Sequence, residues 1–191
     1  MKLYGKTLKF KRGITIQIAL TYACNLSCEY CSLHIPTGKR PKAPQSSLSD
    51  WQRYIKNFPI KIKEVYVSGG EPSLIKWMPD LVNWLLDQKY HVTLFTDLYN
   101  PSLILQIKRS YRFQIVSTYH HSDSMLRFDS AYLALKNKYR IEVDEIGEKH
   151  LPYSRVKPFI DEEGLKDNEF RISPDLQIYL SCYEHFKQKS L

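Results

Sequence analysis

Along residues 14 to 146 the spacing of apolar side chains switches repeatedly between two and three to four residues. In ITIQIAL (14–20) the isoleucines alternate with polar neighbours, the mark of a half-buried strand that ends at a cluster of cysteines. SLSDWQRYIKNF then opens on a Ser/Asp group around Ser49 and carries Trp51, Tyr54, Ile55 and Phe58 at helical spacing, which predicts a capped helix. IKEVYVSGGEP reads as a strand running into a glycine pair. MPDLVNWLLDQ is an amphipathic helix, with Pro79 tolerated in its first turn. HVTLFTD is a third strand; Asn100 and Pro101 start a helix through about Arg109; FQIVSTYHH is a fourth strand. A helix over about 124–138 and the strand RIEVDEI follow, with RVKPFI (155–160) as a sixth strand. Beyond Asp161 the pattern weakens, and EFRISPDLQIYLSCYEHF reads as two short strands around a turn at Ser173, Pro174 and Asp175, ending in a helical tail.

Alternating β and α elements imply a parallel sheet whose working groups gather at the C-terminal ends of the strands. The cysteines follow the first strand, the glycine pair the second and Thr96 with Asp97 the third, while Ser117 and Thr118 end the fourth, so one rim should collect them all. A full eightfold barrel needs about 250 residues. The expected fold is therefore α/β, a partial (βα)6 TIM-like barrel with a short C-terminal extension. Residues 1–161 form the core with its basic N-terminal segment, and residues 162–191 pack on it.

Composition narrows the function classes. With 43% hydrophobic and 13% aromatic residues, the 191-residue chain can bury a sizeable core and is not a disordered tail. No run approaches the roughly 18 apolar residues of a membrane span, and MKLYGKTLKFKRG lacks the apolar stretch of a secretory signal, so a cytoplasmic location is expected. The formal charge of +8 is uneven: Lys2, Lys6, Lys9, Lys11 and Arg12 crowd the start, and Lys39, Arg40 and Lys42 follow the cysteines. Between residues 142 and 169 nine acidic side chains face four basic ones, which assigns the positive field mainly to the first third. Such a field attracts phosphates, nucleic acid or an acidic peptide, although no nucleic-acid motif accompanies it.

CNLSCEYC (24–31) holds three of the four cysteines in eight residues. In a reducing compartment a cluster of this kind serves metal binding or redox chemistry rather than disulfides. The CxxxCxxC spacing lets one loop curl three thiolates around a soft metal centre. Structural zinc needs four protein ligands, so a zinc-binding interaction module would have to recruit Cys182 or His34. Three thiolates on an iron–sulfur cluster leave one iron open for chemistry.

CxxxCxxC with Tyr30 before its last cysteine, followed about forty residues later by SGGEP, resembles the radical S-adenosylmethionine (radical SAM) superfamily over roughly residues 14–160. The resemblance implies that Cys24, Cys28 and Cys31 bind three irons of a 4Fe-4S cluster and that S-adenosylmethionine chelates the fourth. It places Tyr30 beside the adenine. Gly69 and Gly70 would admit the methionine end of the cofactor, Glu71 would accept a hydrogen bond from its ammonium, and Pro72 would stiffen the turn. Thr96, Asp97 and Ser117 are candidates for its carboxylate or ribose hydroxyls. Family members often carry asparagine where Asp97 stands, and a carboxylate there suits a hydroxyl or a lysine better than the cofactor's own carboxylate. The implied reaction is reductive cleavage to methionine and a 5′-deoxyadenosyl radical, which abstracts hydrogen from a small-molecule, nucleobase-type or peptide substrate. A flavodoxin- or ferredoxin-like reductant is implied with it. A second reading within the family is an activase that installs a glycyl radical on a partner protein.

Three further features lie outside these two motifs. His120 and His121 follow the fourth strand, and alternation lets one ring at most face the site; His120 is the candidate catalytic residue. ISPDLQIYLSC is similar to the opening of the C-terminal extensions that bind auxiliary clusters in many radical SAM enzymes. Cys182 stands nine residues from the end without the extension's glycine, and reads as a buried or vestigial thiol, with a role in the active site or in a cluster shared across subunits as the alternative. Trp51 and Trp84 lie among aliphatic neighbours at helical spacing and are assigned to the core.

Overall fold

The computed structural model describes residues 2–3, 6–7, 13–26, 28, 46–120, 125–146, 160–161, 164–165, 169–172, 174, 176 and 178–179. Its centre is a seven-stranded sheet. In chain order the strands are β1 (Ile14–Ala19), β2 (Ile62–Ser68), β3 (His91–Thr96), β4 (Phe113–His120), β5 (Arg140–Ile146), β6 (Glu169–Ile172) and β7 (Ile178–Tyr179). They lie side by side in the order β7-β6-β1-β2-β3-β4-β5. Every pairing from β6 to β5 is parallel, and only β7 runs against its neighbour. With β7 and β5 at its two edges the sheet is open among the described residues, as a partial α/β barrel requires.

Helices cover the sheet where the sequence alternates. α1 (Leu48–Lys56) is capped by Ser47, whose hydroxyl accepts from the Asp50 amide while the Asp50 carboxylate accepts from the Ser47 amide. The cap therefore lies two residues before Ser49 and closes a reciprocal box. α1 sinks Trp51 and Ile55, and α2 (Met78–Asp87) sinks Leu81, Val82 and Leu85. They meet Ile16, Ile18, Val65, Val67, Leu94 and Ile115, each 0% exposed, in one core cluster. Trp51 is fully buried, and Trp84 packs against the core half-buried.

Two elements differ from the sequence pattern. The helix expected from Pro101 to about Arg109 stops early, as α3 (Pro101–Ile104). Its later carbonyls are met by side chains from elsewhere: the single Tyr139 hydroxyl proton is shared between the Ile104 and Ile107 carbonyls, whose oxygens lie 2.9 and 2.6 Å from Oη, while Lys138 Nζ donates at 2.6 Å to Leu105 and Asn83 Nδ2 at 3.2 Å to Gln106. The chain tightens to i-to-i−3 bonds, Gln106 N–H to Leu103 O and Ile107 N–H to Ile104 O, both at 3.0 Å, and the tertiary donors take the carbonyls beyond. The other difference concerns the sixth parallel strand, which is β6, beside β1, whereas residues 155–159 of the expected RVKPFI strand lie outside the described residues. Around Pro174 the predicted pair of short strands is present as β6 and β7, and the Ser46 hydroxyl donates to the buried Pro174 carbonyl at 2.6 Å. α4 (Met125–Leu135) falls inside the predicted helix.

Leu94 sits between Val67 and Ile115 at full burial. Leu94→Ala should lower the unfolding free energy by about 2–5 kcal/mol, read as a shift of the urea midpoint at unchanged slope.

Candidate functional site

The site grows from the C-terminal ends of β1, β2 and β3. Parallel register sets Ala19 opposite Ser68 and Thr96 opposite Ser117, so the loops that follow leave the sheet on one side. The loop after β1 first doubles back through the Thr21 hydroxyl, which accepts from the Ala23 amide at 3.0 Å. It is then held by the loop after β2: Gly70 N–H donates to Thr21 O at 2.7 Å and Glu71 N–H to Ala23 O at 2.8 Å. Side chains cannot occupy these glycine positions. A Cβ on Gly69, at φ +139°, would lie 2.5 Å from Thr21 O, and one on Gly70 would lie 2.0 Å from Ala23 O. The glycine pair thus admits the cysteine loop itself.

Glu71 carries the connection one strand further. It is 1% exposed, and its carboxylate accepts from the Ser73 amide and the Thr96 hydroxyl, both at 2.7 Å, and from the Asp97 amide at 2.8 Å. Three of about four acceptor positions are filled, leaving room for one more donor. Burial, and then the neighbouring Asp97 charge, pushes the Glu71 carboxyl up to about 8. Pro72 opens the short 3-10 turn (Pro72–Leu74) and is buried.

Asp97 is buried between two loops. Its Oδ2 accepts from Asn25 Nδ2 at 2.7 Å, inside the cysteine loop, while its Oδ1 is buried without a hydrogen-bond partner among the described residues. Arg127, at the start of α4, donates to the Asp97 carbonyl at 2.9 Å and the Leu98 carbonyl at 3.0 Å, and stands 4.0 Å from Asp97 Oδ2. These contacts hold Leu98 at φ +61°, a left-handed conformation that a leucine adopts only at some cost.

The remaining expected residues divide. Cys24 and Cys28 are half-buried in the loop after β1, and the Leu26 amide donates to Cys24 Sγ at 3.4 Å. Tyr30 and Cys31 lie outside the described residues, as do His34, His121 and Cys182. Thr96 and Ser117 spend their hydroxyl protons inside the protein, Thr96 on Glu71 and Ser117 on the Thr96 carbonyl at 2.9 Å. Ser117 does not end its strand, because β4 runs three residues further to His120, whose side chain lies outside the description. Asn25 and Arg127 were not among the residues expected from the sequence. Asn25 was hidden as a spacer between cysteines, and nothing in RFDSAYLAL marks Arg127 as a partner of the third loop.

Comparison with known proteins decides what this rim belongs to. The family model described as "Radical SAM superfamily" matches residues 18–124, more than half of the chain and all of the site residues above except Arg127. The chain belongs to the radical SAM superfamily. That family consists of enzymes that use a 4Fe-4S cluster and S-adenosylmethionine. Among curated radical SAM relatives, a GTP 3',8-cyclase of Tolumonas auensis is 31% identical over 70 residues, 35% of this chain and 20% of the relative. A PqqA peptide cyclase of Rhodopseudomonas palustris is 29% identical over 99 residues, 50% of this chain and 24% of the relative. The chain thus spans about a quarter or less of the length of these relatives. The solved structure of BtrN in complex with AdoMet and 2-DOIA superposes with a TM-score of 0.64 at 15% identity, over 94% of this chain and 76% of that one, and shows the shared fold.

The residues present fit the family's two groups. Half-buried thiols on a clamped loop suit iron, and a buried, partnerless carboxylate oxygen beside them suits a hydrogen-bond donor on a cationic ligand. Among the described residues no three metal-binding side chains stand together, Cys31 being outside them.

Two measurements probe this architecture. Gly70→Ala drives a Cβ into backbone and should destabilise the fold by about 2 kcal/mol or more, with loss of bound iron, read by denaturation and metal analysis. For Glu71 the folded-state value lies above the unfolded one, so the folded chain keeps a proton that the unfolded chain releases. Its contribution is complete below the ordinary carboxylate value and declines until the pH passes about 8. Cofactor-free wild type should therefore lose stability relative to Glu71→Gln as the pH rises through that window; parallel curves would contradict the burial effect.

Proposed function

We propose that this protein generates a substrate radical at the rim just described, with Cys24, Cys28 and Cys31 as the three protein ligands of the 4Fe-4S cluster. When bound, the cluster and S-adenosylmethionine supply one-electron cleavage of the S–C5′ bond and the hydrogen abstraction that follows. The chain's own residues bind and orient. Gly69 and Gly70 seat the cysteine loop against the second loop, and Pro72 fixes the turn that follows. Glu71 and Asp97 offer acceptors to the cofactor's ammonium and hydroxyl donors, with Thr96 and Ser117 bracing the wall behind them. Tyr30 flanks the adenine, and His120, at the outer end of β4, faces substrate.

The observation that carries the reading is the clamp: the loop bearing Cys24 and Cys28 is bonded backbone to backbone to the SGGEP turn. Neither motif could be moved without the other. The relatives' names indicate nucleotide and peptide chemistry. We assign the substrate to those classes, the electron donor to a flavodoxin- or ferredoxin-like protein, and the setting to a reducing cytoplasm.

The test is anaerobic reconstitution with iron and sulfide, then incubation with S-adenosylmethionine and dithionite. The wild-type chain should bind about four irons and release 5′-deoxyadenosine slowly without substrate, while Cys28→Ala should fall to background. Unchanged cofactor, or an alanine variant as active as wild type, would refute the assignment.

A further inference from the structure

At the opposite end of the sheet from the cysteine loop lies a cavity of about 660 Å³ that the radical chemistry does not use. Its floor is the N-terminal ends of β3 and β4, with Val92 and Phe113 buried and Thr93 and Gln114 linked at 3.1 Å. Strands of six to eight residues put it roughly 20 Å from the rim, too far to share a ligand with Cys24.

Its walls are cationic. The turn before β4 contributes Arg109 and Arg112, the turn before β5 contributes Lys136 and Lys138, and β5 itself opens on Arg140. Glu64 is the one carboxylate in the lining. Lys138 is spent on the Leu105 carbonyl, whereas Arg109, Lys136 and Arg140 are exposed and have no carboxylate partner among the described residues. The sequence assigns the positive field mainly to the first third of the chain. Folding builds a second concentration by bringing residues 109–112 beside residues 136–140. Tyr111 stands at the mouth, 80% exposed, with the Arg112 guanidinium 4.5 Å from its ring centroid. The exposure leaves ring surface for a second planar group.

Unpaired cations around a concave site call for an anion carrying several charges, and the volume falls within the range of small-ligand pockets rather than flat protein interfaces. Guanidinium and ammonium groups match phosphate oxygens, and an exposed tyrosine stacks on a heterocyclic base. We propose that this cavity is a second binding site, for a nucleoside polyphosphate, with phosphates on Arg109, Lys136 and Arg140 and the base on Tyr111.

The test is calorimetric titration of the full chain with magnesium-free ATP and, separately, with tripolyphosphate. ATP should bind saturably, weaken as salt rises from about 50 to about 200 mM, and resist displacement by S-adenosylmethionine. The double variant Arg109→Glu with Lys136→Glu should lose about tenfold or more in affinity for both ligands. Tyr111→Ala should weaken ATP by roughly fivefold and leave tripolyphosphate unchanged. The substituted side chains are exposed; should the charge reversal unfold the chain, Arg109→Gln with Lys136→Gln gives the same readout. Five outcomes overturn the proposal: no saturable ATP binding, affinity that survives both charge variants, displacement of ATP by S-adenosylmethionine, indifference to Tyr111→Ala, or, in a parallel titration, a short oligonucleotide binding far more tightly than ATP.

Discussion

The backbone at Gly69 and Gly70 lies against the backbone at Thr21 and Ala23 with no side chain between them, and two amide hydrogen bonds close the contact. Peptide groups at this distance satisfy each other's polar atoms away from water, which a buried loop junction requires. From this contact the remaining rim geometry follows. Glu71 is carried inward, where it gathers donors from its own turn and from the end of β3. Asp97, drawn in beside it, reaches back to Asn25 and closes a circuit through three successive loops.

That circuit buries two carboxyl groups side by side, an arrangement that costs free energy unless charge is neutralised, and without the cofactor Glu71 keeps its proton up to about pH 8. The folded chain has partial answers in place: amide and hydroxyl donors to Glu71, the Asn25 amide to Asp97, and Arg127 at the edge. They do not saturate the pair, since one Asp97 oxygen keeps no hydrogen-bond partner among the described residues. Incomplete neutralisation suits a family whose cofactor brings an ammonium and a sulfonium.

Much of this was legible in the residues. Period-two isoleucines and valines marked β1 to β5, because parallel strands buried by helices must be apolar on their covered faces. The cysteine triplet and SGGEP located two loops at the strand ends, and the turn at Pro174 located the hairpin of β6 and β7. Position in the sheet was not legible: nothing local in EFRI states that it will lie beside β1, since register across so long a separation depends on the finished fold. The early end of α3 escaped for the same reason, because its terminators, Tyr139, Lys138 and Asn83, come from other elements. Asn25 and Arg127 escaped because their partners are carbonyl and carboxylate oxygens far along the chain.

The placement of β6 bears on how the molecule is made. Thr15 to Ile18 pair on one side with residues 169–172, so the strand that leads to the cysteines gains its second neighbour only from a segment 154 positions further along. During synthesis that edge stays bare until residues 169–172 have left the ribosome, and closing so large a loop is slow. Nascent chains must therefore keep a stretch of isoleucines from meeting one another until β6 arrives, an interval in which a bare strand edge invites aggregation.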